Sequence, residues 1–261
     1  MENRQQRPIV RPKLYLALDV EKLNRKTLAM PLAAAAWLGT ENGVLLDWRR
    51  FYVRDLNDIS EREFVKETGL PLELLDARSD FVTHDFWQRN EHNKLALEMF
   101  RRNARPLREV LVEFAKWFDN VIQLYHKNYE IVLVSDCADA DLSTISISWA
   151  LLGIRQYGPR YLAGENQLDN TFLRCVSANT FMWRRSVNKR LLWKWRVDQQ
   201  MQALKQSHCN GLLSAKIVAE EFVGKHYPLY DALRSYVELL VQLEVESGGG
   251  GGGVGEISSH N

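Results

Sequence analysis

Asp19-Val20-Glu21 follows a short apolar run, Leu14 to Leu18. In a strand, residues i and i+2 point to one side, so the two carboxylates would share a face. Burying either would cost several kcal/mol unless positive charge met it. Such a pair can hold a divalent cation, because hard cations take carboxylate oxygens. The plainer alternative is a solvated strand end, and Asp-x-Glu taken alone favours it. A second group, Asp136-Cys137-Ala138-Asp139-Ala140-Asp141, follows the apolar run Ile131 to Val134. Ligands gather beyond the carboxyl ends of strands in α/β sheets, although aspartates are also common in the first turn of a helix. The third group is His226-Tyr227-Pro228-Leu229-Tyr230-Asp231. A lone histidine is more often packed or solvated than catalytic, but the ordinary pKa of imidazole, about 6.5, suits a base near neutral pH.

These residues need elements to hold them. Leu14 to Leu18 reads as a buried strand. Leu32 to Leu38 and Val44 to Val53 flank Asn42-Gly43, a tight-turn signal, and predict an antiparallel meander. Asp55 to Arg78 reads as loop and short helix. From Leu107 to Tyr125, apolar residues recur at spacings of three and four and predict a long amphipathic helix. It leads to the buried strand Ile131 to Val134, so a crossover and a parallel pair are expected. Leu142, Ile145 and Trp149 continue at helical spacing. Pro228 suits a helix start, and Leu229, Ala232, Leu233, Tyr236, Val237, Leu240 and Val241 form the stripe of a last helix packed on the sheet.

In this order, the three groups resemble the DEDDh 3′–5′ exonucleases of the ribonuclease H-like superfamily. Asp19 and Glu21 match motif one, Asp141 motif two, and His226 and Asp231 motif three. Asp139 is an alternative for motif two and Asp136 a weaker one, because Cys137 and Ala140 stand where the family usually has a small amide and an aromatic. Thr83-His84-Asp85-Phe86-Trp87 resembles the Thr-x-x-Trp-Trp stretch of the phage and bacterial exoribonuclease-like branch, with Phe86 for the first tryptophan. The resemblance implies an α/β fold, a ribonuclease H-like mixed five-stranded sheet flanked by helices. It also implies two divalent metal ions, Mg²⁺ or Mn²⁺, held by Asp19, Glu21, Asp141 and Asp231, with His226 as general base. Two-metal sites of this kind stabilise both the attacking and the leaving oxygen of a phosphodiester. The implied substrate is the 3′ end of single-stranded RNA or DNA.

A polyanion needs positive charge along its path. Residues 170–197 contain no acid but hold Arg174, Arg184, Arg185, Lys189, Arg190, Lys194 and Arg196, interleaved with Trp183, Trp193 and Trp195. Cations with aromatics suit a single strand, through phosphate contacts and base stacking. The competing pattern is an amphipathic helix with Val187, Leu191, Leu192 and Trp195 inward and a solvated basic face; both can hold. Arg184, Arg185, Lys189 and Arg190, with Leu23 and Asn24 after motif one, are the candidate nucleic-acid contacts. Trp87 is another, by stacking on a terminal base, with a core role equally open. Arg101, Arg102, Arg105 and Arg108 read as a solvated helix entrance.

The 261-residue chain is 46% hydrophobic and 26% charged, the balance of a globular domain and not of a disordered one. Residues 1–12 read as a flexible basic arm, 13–246 as the exonuclease domain with an insertion within 155–225, and 247–261, with six consecutive glycines, as a disordered tail. Either tail could recruit a protein partner. No apolar run is long enough for a membrane span. Three scattered cysteines and a polar N-terminus lead to the expectation of an intracellular protein, cytoplasmic or nuclear. Zinc-ligand spacing, a phosphate-binding glycine loop and a Gly-x-Ser-x-Gly elbow are absent. The rival from another class is a non-catalytic nucleic-acid-binding or scaffold protein on the same fold.

Overall fold

In the computed structural model, the structure describes residues 11–22, 30–56, 58–71, 81–154, 173–177 and 187–246. Both expected terminal tails therefore fall almost wholly outside the described residues.

The strands are β1 (Lys13–Lys22), β2 (Pro31–Thr40), β3 (Leu45–Tyr52), β4 (Glu130–Ser135) and β5 (Leu173–Ser177), the last described by its backbone. They lie in the order β3-β2-β1-β4-β5. β1 to β3 form the expected antiparallel meander, turning at Gly43 with φ +82°. β4 pairs parallel with β1, and β5 parallel with β4. The sheet is thus mixed, with β1 at its centre, an arrangement consistent with the ribonuclease H-like expectation.

Alternation along β1 decides which way its acids face. Leu14, Leu16, Leu18 and Val20 point into one core layer, covered by α1 (Glu61–Thr68), α4 (Leu107–Tyr125) and α5 (Ala138–Leu151). Tyr15 and Ala17 point into the other, covered by α6 (Val187–Gln206), α7 (Ala215–Glu221) and α8 (Pro228–Glu246). Asp19 and Glu21 continue the Tyr15–Ala17 face, on the side of α8. A third, smaller cluster seats α2 (Phe81–Gln88) and α3 (Glu91–Asn103) against Leu32, Tyr52 and Tyr227 at the sheet edge. Among the described residues, no helix is long and apolar enough to cross a membrane.

Small residues let α8 approach. Ala17 and Ala35 share a core layer with Leu229, Ala232, Leu233 and Tyr236 of that helix. At Gly39 the approach is closest. A β-carbon there would stand 2.5 Å from the Tyr236 ring, whose hydroxyl donates to the Thr40 carbonyl at 2.7 Å.

The basic helix corrects one expectation. α6 turns Trp193, Val197, Met201 and Leu204 toward α8, not the set read from the sequence. Leu191, Leu192 and Trp195 are 62%, 50% and 58% exposed. The inward face is fixed by what α8 offers: the Trp193 indole donates to the Glu238 carbonyl, and Arg234 reaches Asp198.

Gly39→Ala should destabilise the protein by roughly 1–3 kcal/mol, as overpacking of a filled core does. The urea unfolding midpoint measures it, and an unchanged midpoint would contradict this packing.

Candidate functional site

Three chain segments meet at the end of β1. β1 itself supplies Asp19, buried at 9% exposure, and the half-buried Glu21. Just past β4, the chain turns through Asp136 and Cys137 into α5, whose first turn presents Asp141. The Ser135 hydroxyl donates to Asp141 Oδ2, and the Cys137 amide donates to that hydroxyl oxygen at 3.1 Å. This ties the acid to the strand it follows. α8 starts at Pro228, as its fixed φ and missing N–H favour, and places Asp231 in its first turn. Asp231 Oδ2 accepts the backbone N–H of His226 at 2.5 Å.

His226 adopts φ +68°, a left-handed conformation uncommon outside glycine. Its Nδ1 lies 3.6 Å from Glu21 Oε1. The ring stands edge-on to Phe86 at 4.9 Å and to Trp87 at 6.1 Å.

Two groups of potential ligand atoms result. Oxygens of Asp19, Asp136 and Asp141 lie within 4.8 Å of one another, and so do atoms of Glu21, His226 and Asp231. Burial pushes the Asp19 carboxyl well above its ordinary range, and Glu21, Asp231, Asp141 and Asp136 push it further. Burial likewise lifts Asp141 to about 7, opposed by the Ser135 hydroxyl and assisted by Asp136. Asp231 rises to about 7 through burial and then the Glu21 charge, against the hydrogen bond from His226. His226 is raised by Glu21, with burial opposing.

Asp19 Oδ2 is buried and receives no hydrogen bond from any described residue. An orphaned carboxylate oxygen among converging acids is what a hard divalent cation would satisfy, so the residues fit the metal implied by the sequence pattern.

The five residues matched to the motifs, Asp19, Glu21, Asp141, His226 and Asp231, therefore come together. Asp136, the weaker motif-two alternative, joins them. Asp139 lies in the first turn of α5 with its side chain outside the described residues. Trp87 is a correction: at 1% exposure its ring offers no face to a base. It packs against Phe100 and beneath His226 while its indole donates to the Lys22 carbonyl, so tertiary packing claims it. Leu23, Asn24, Arg184 and Arg185 lie outside the described residues, as does the side chain of Lys189; Arg190 is half-buried on α6.

Two features had no sequence signal. The His92 imidazole on α3 contacts the Lys225 carbonyl, from a polar stretch with no motif around it. Glu221, at 0% exposure, receives hydrogen bonds from Arg50 and Tyr52 and pins the end of α7 to β3 just before the His226 loop.

No protein-family model matches the chain, and no curated protein matches it. Among solved structures it is similar to cell-death related nuclease 4 (CRN-4), at 15% identity and a TM-score of 0.29. The match covers 90% of this chain and 64% of that one, so the chain spans just under two thirds of that protein's length. A likeness at this level carries no argument about activity.

With divalent ions chelated, this site should make stability fall as pH rises. A carboxyl whose folded pKa is raised binds more protons folded than unfolded between its two pKa values. For Asp141 and Asp231, stability is lost as pH rises from the unfolded value near 3.8 through about 7. In EDTA, Asp141→Asn and Asp231→Asn should each raise the thermal midpoint at pH 8 and leave it almost unchanged at pH 4. Mn²⁺ should raise the wild-type midpoint at pH 8 and do less for either variant. A calorimetric pH series checks this; equal shifts at both pH values would refute the electrostatic account.

Proposed function

We propose that this chain is a metal-dependent 3′–5′ exonuclease that hydrolyses single-stranded RNA or DNA from the 3′ end. The observation that carries the reading is the meeting of two ligand groups, Asp19 with Asp136 and Asp141 and Glu21 with His226 and Asp231, where a buried Asp19 oxygen receives no hydrogen bond from a described residue. The 3′–5′ direction is what the resemblance of these motifs to the DEDDh exonucleases implies.

Asp19, Asp136 and Asp141 would hold one divalent ion, and Glu21 and Asp231 the other. When bound, such ions stabilise charge on the attacking and leaving oxygens and ease deprotonation of water. The protein supplies the rest. Glu21 faces Nδ1 of His226 and keeps a proton there, which leaves Nε2 to accept one from the attacking water. Phe86 and Trp87 exclude water from the ring edge and hold its orientation. Asp231 fixes the backbone on which the ring stands.

The exposed face of α6 supports a single-stranded substrate. Trp195 presents an open aromatic ring beside the exposed Lys194, a pairing that stacks a base and meets a phosphate.

Asp19→Ala and His226→Ala should keep the fold. The first should abolish shortening of 5′-labelled oligonucleotides from the 3′ end in Mg²⁺ or Mn²⁺, and the second should slow it on the order of 10²–10⁴-fold, the usual worth of a general base. A near wild-type rate in either purified variant refutes the assignment. Tight binding without cleavage by the wild type would return the non-catalytic reading.

In the Asp19→Ala background, Trp195→Ala should weaken binding of a fluorescein-labelled oligonucleotide by roughly 1–3 kcal/mol, the worth of one stacked base. Unchanged anisotropy titrations would remove α6 from the substrate path.

A further inference from the structure

The peptide joining Lys225 to His226 is held from both sides. Its N–H donates to Asp231 Oδ2 at 2.5 Å. Its carbonyl lies 2.5 Å from His92 Nε2, and since a carbonyl only accepts, Nε2 carries the proton and donates. One partner comes from the first turn of α8 and the other from the first turn of α3, so the plane of this peptide is tied to two separate elements.

That plane sets where the imidazole goes. With the peptide fixed, φ +68° at His226 determines the direction of its Cα–Cβ bond. A left-handed backbone at a non-glycine residue persists only when its surroundings over-determine it. The surroundings here do so. His92 also packs against Tyr227, with ring centroids 5.4 Å apart and planes tilted by 57°, and Tyr227 is buried in the α2–α3 cluster. A β-carbon at Gly224 would lie 3.3 Å from His92 Cε1, so the loop is built around this ring. Further back, Lys205 donates to the Phe222 carbonyl at 2.8 Å.

We propose that His92 is a positioning residue: together with Asp231 it clamps the Lys225–His226 peptide and thereby holds the His226 imidazole against Phe86 and Trp87 and beside Glu21. His92 touches no substrate in this scheme and acts through His226. The kinetic consequence rests on the exonuclease reading; the structural one does not.

The test uses the full chain and the variants His92→Phe, His92→Gln and His92→Asn, alone and with His226→Ala. Phenylalanine keeps a ring against Tyr227 but withdraws the donor. Glutamine restores an N–H near Nε2. Asparagine keeps polarity while falling short of the carbonyl, and it replaces phenylalanine should that variant not fold. Cleavage of a 5′-labelled oligothymidylate in Mn²⁺ gives kcat and KM, and nuclear Overhauser contacts from the His226 ring to Phe86 and Trp87 report its position.

His92→Phe and His92→Asn should lower kcat on the order of ten- to a hundredfold, the usual effect of a displaced catalytic group, with KM little changed. His92→Gln should recover most of it. In the His226→Ala background the same substitutions should cost nothing more, since the effect passes through the missing ring. The ring contacts should vanish in His92→Phe and persist in His92→Gln. Unchanged kcat and ring contacts in His92→Phe, or an equal loss without His226, overturn the proposal. Should the wild type cleave nothing, the exonuclease reading fails, and the ring contacts alone then decide for or against the clamp.

Discussion

Carboxylates repel one another and resist leaving water, and this fold nevertheless gathers Asp19, Glu21, Asp136, Asp141 and Asp231 at the end of one strand. Everything nearby serves to hold them there. β1 is central, Asp19 pairs with Ala35 of β2 just past the end of the β1–β4 ladder, and alternation sends it toward α8 rather than into the opposite layer. Alanines on β1 and β2 and the bare Gly39 let α8 lie close, which brings Asp231 in. The short link from β4 to α5 brings Asp141 in, with Ser135 as its tether. Packing energy distributed over two core layers is what overcomes the repulsion at this point.

Much of this was legible in the sequence. α4 runs over the residues its apolar spacing predicts, Leu107–Tyr125, because one face of a long amphipathic helix gives a strong periodic signal. The meander was readable from Asn42-Gly43 between two apolar runs. The grouping of the acids was readable through the resemblance of their order to the DEDDh motifs, since Asp-x-Glu alone favours a solvated strand end. Other residues were not. α6 is rich in large apolar side chains on more than one face, so periodicity alone could not choose which face turns inward; Trp193, Val197 and Met201 are selected by α8. Trp87 looked available because nothing local says that Phe100 and His226 will cover it. His92 gave no signal, since its role depends on a carbonyl far along the chain.

The two buried ionic arrangements near the site differ in kind. At Glu221, one carboxylate oxygen takes hydrogen bonds from both Arg50 and Tyr52, while the charge of Arg50 offsets part of the burial that raises its pKa. Its Oε1 is thus met by a cation and a hydroxyl, while Oε2 receives no hydrogen bond from a described residue, and the pair of donors fastens α7 to the edge strand. At Asp19 the charges that act on the carboxyl beside its burial are those of Glu21, Asp231, Asp141 and Asp136, all of its own sign, and its Oδ2 receives no hydrogen bond from a described residue. One arrangement joins elements; the other is poised for an external cation.

The crossing of chain segments at β1 has a consequence in time. Asp19 lies near the start of the folded chain and Asp231 in its last helix, and the His226 loop is seated only when α8 docks. A chain emerging N-terminus first from the ribosome carries β1 long before the helix that completes the cluster. Until that helix docks, neither Asp231 nor the His226 loop is held at β1, so the full set of acids is a property of the completed fold and of no single segment of it.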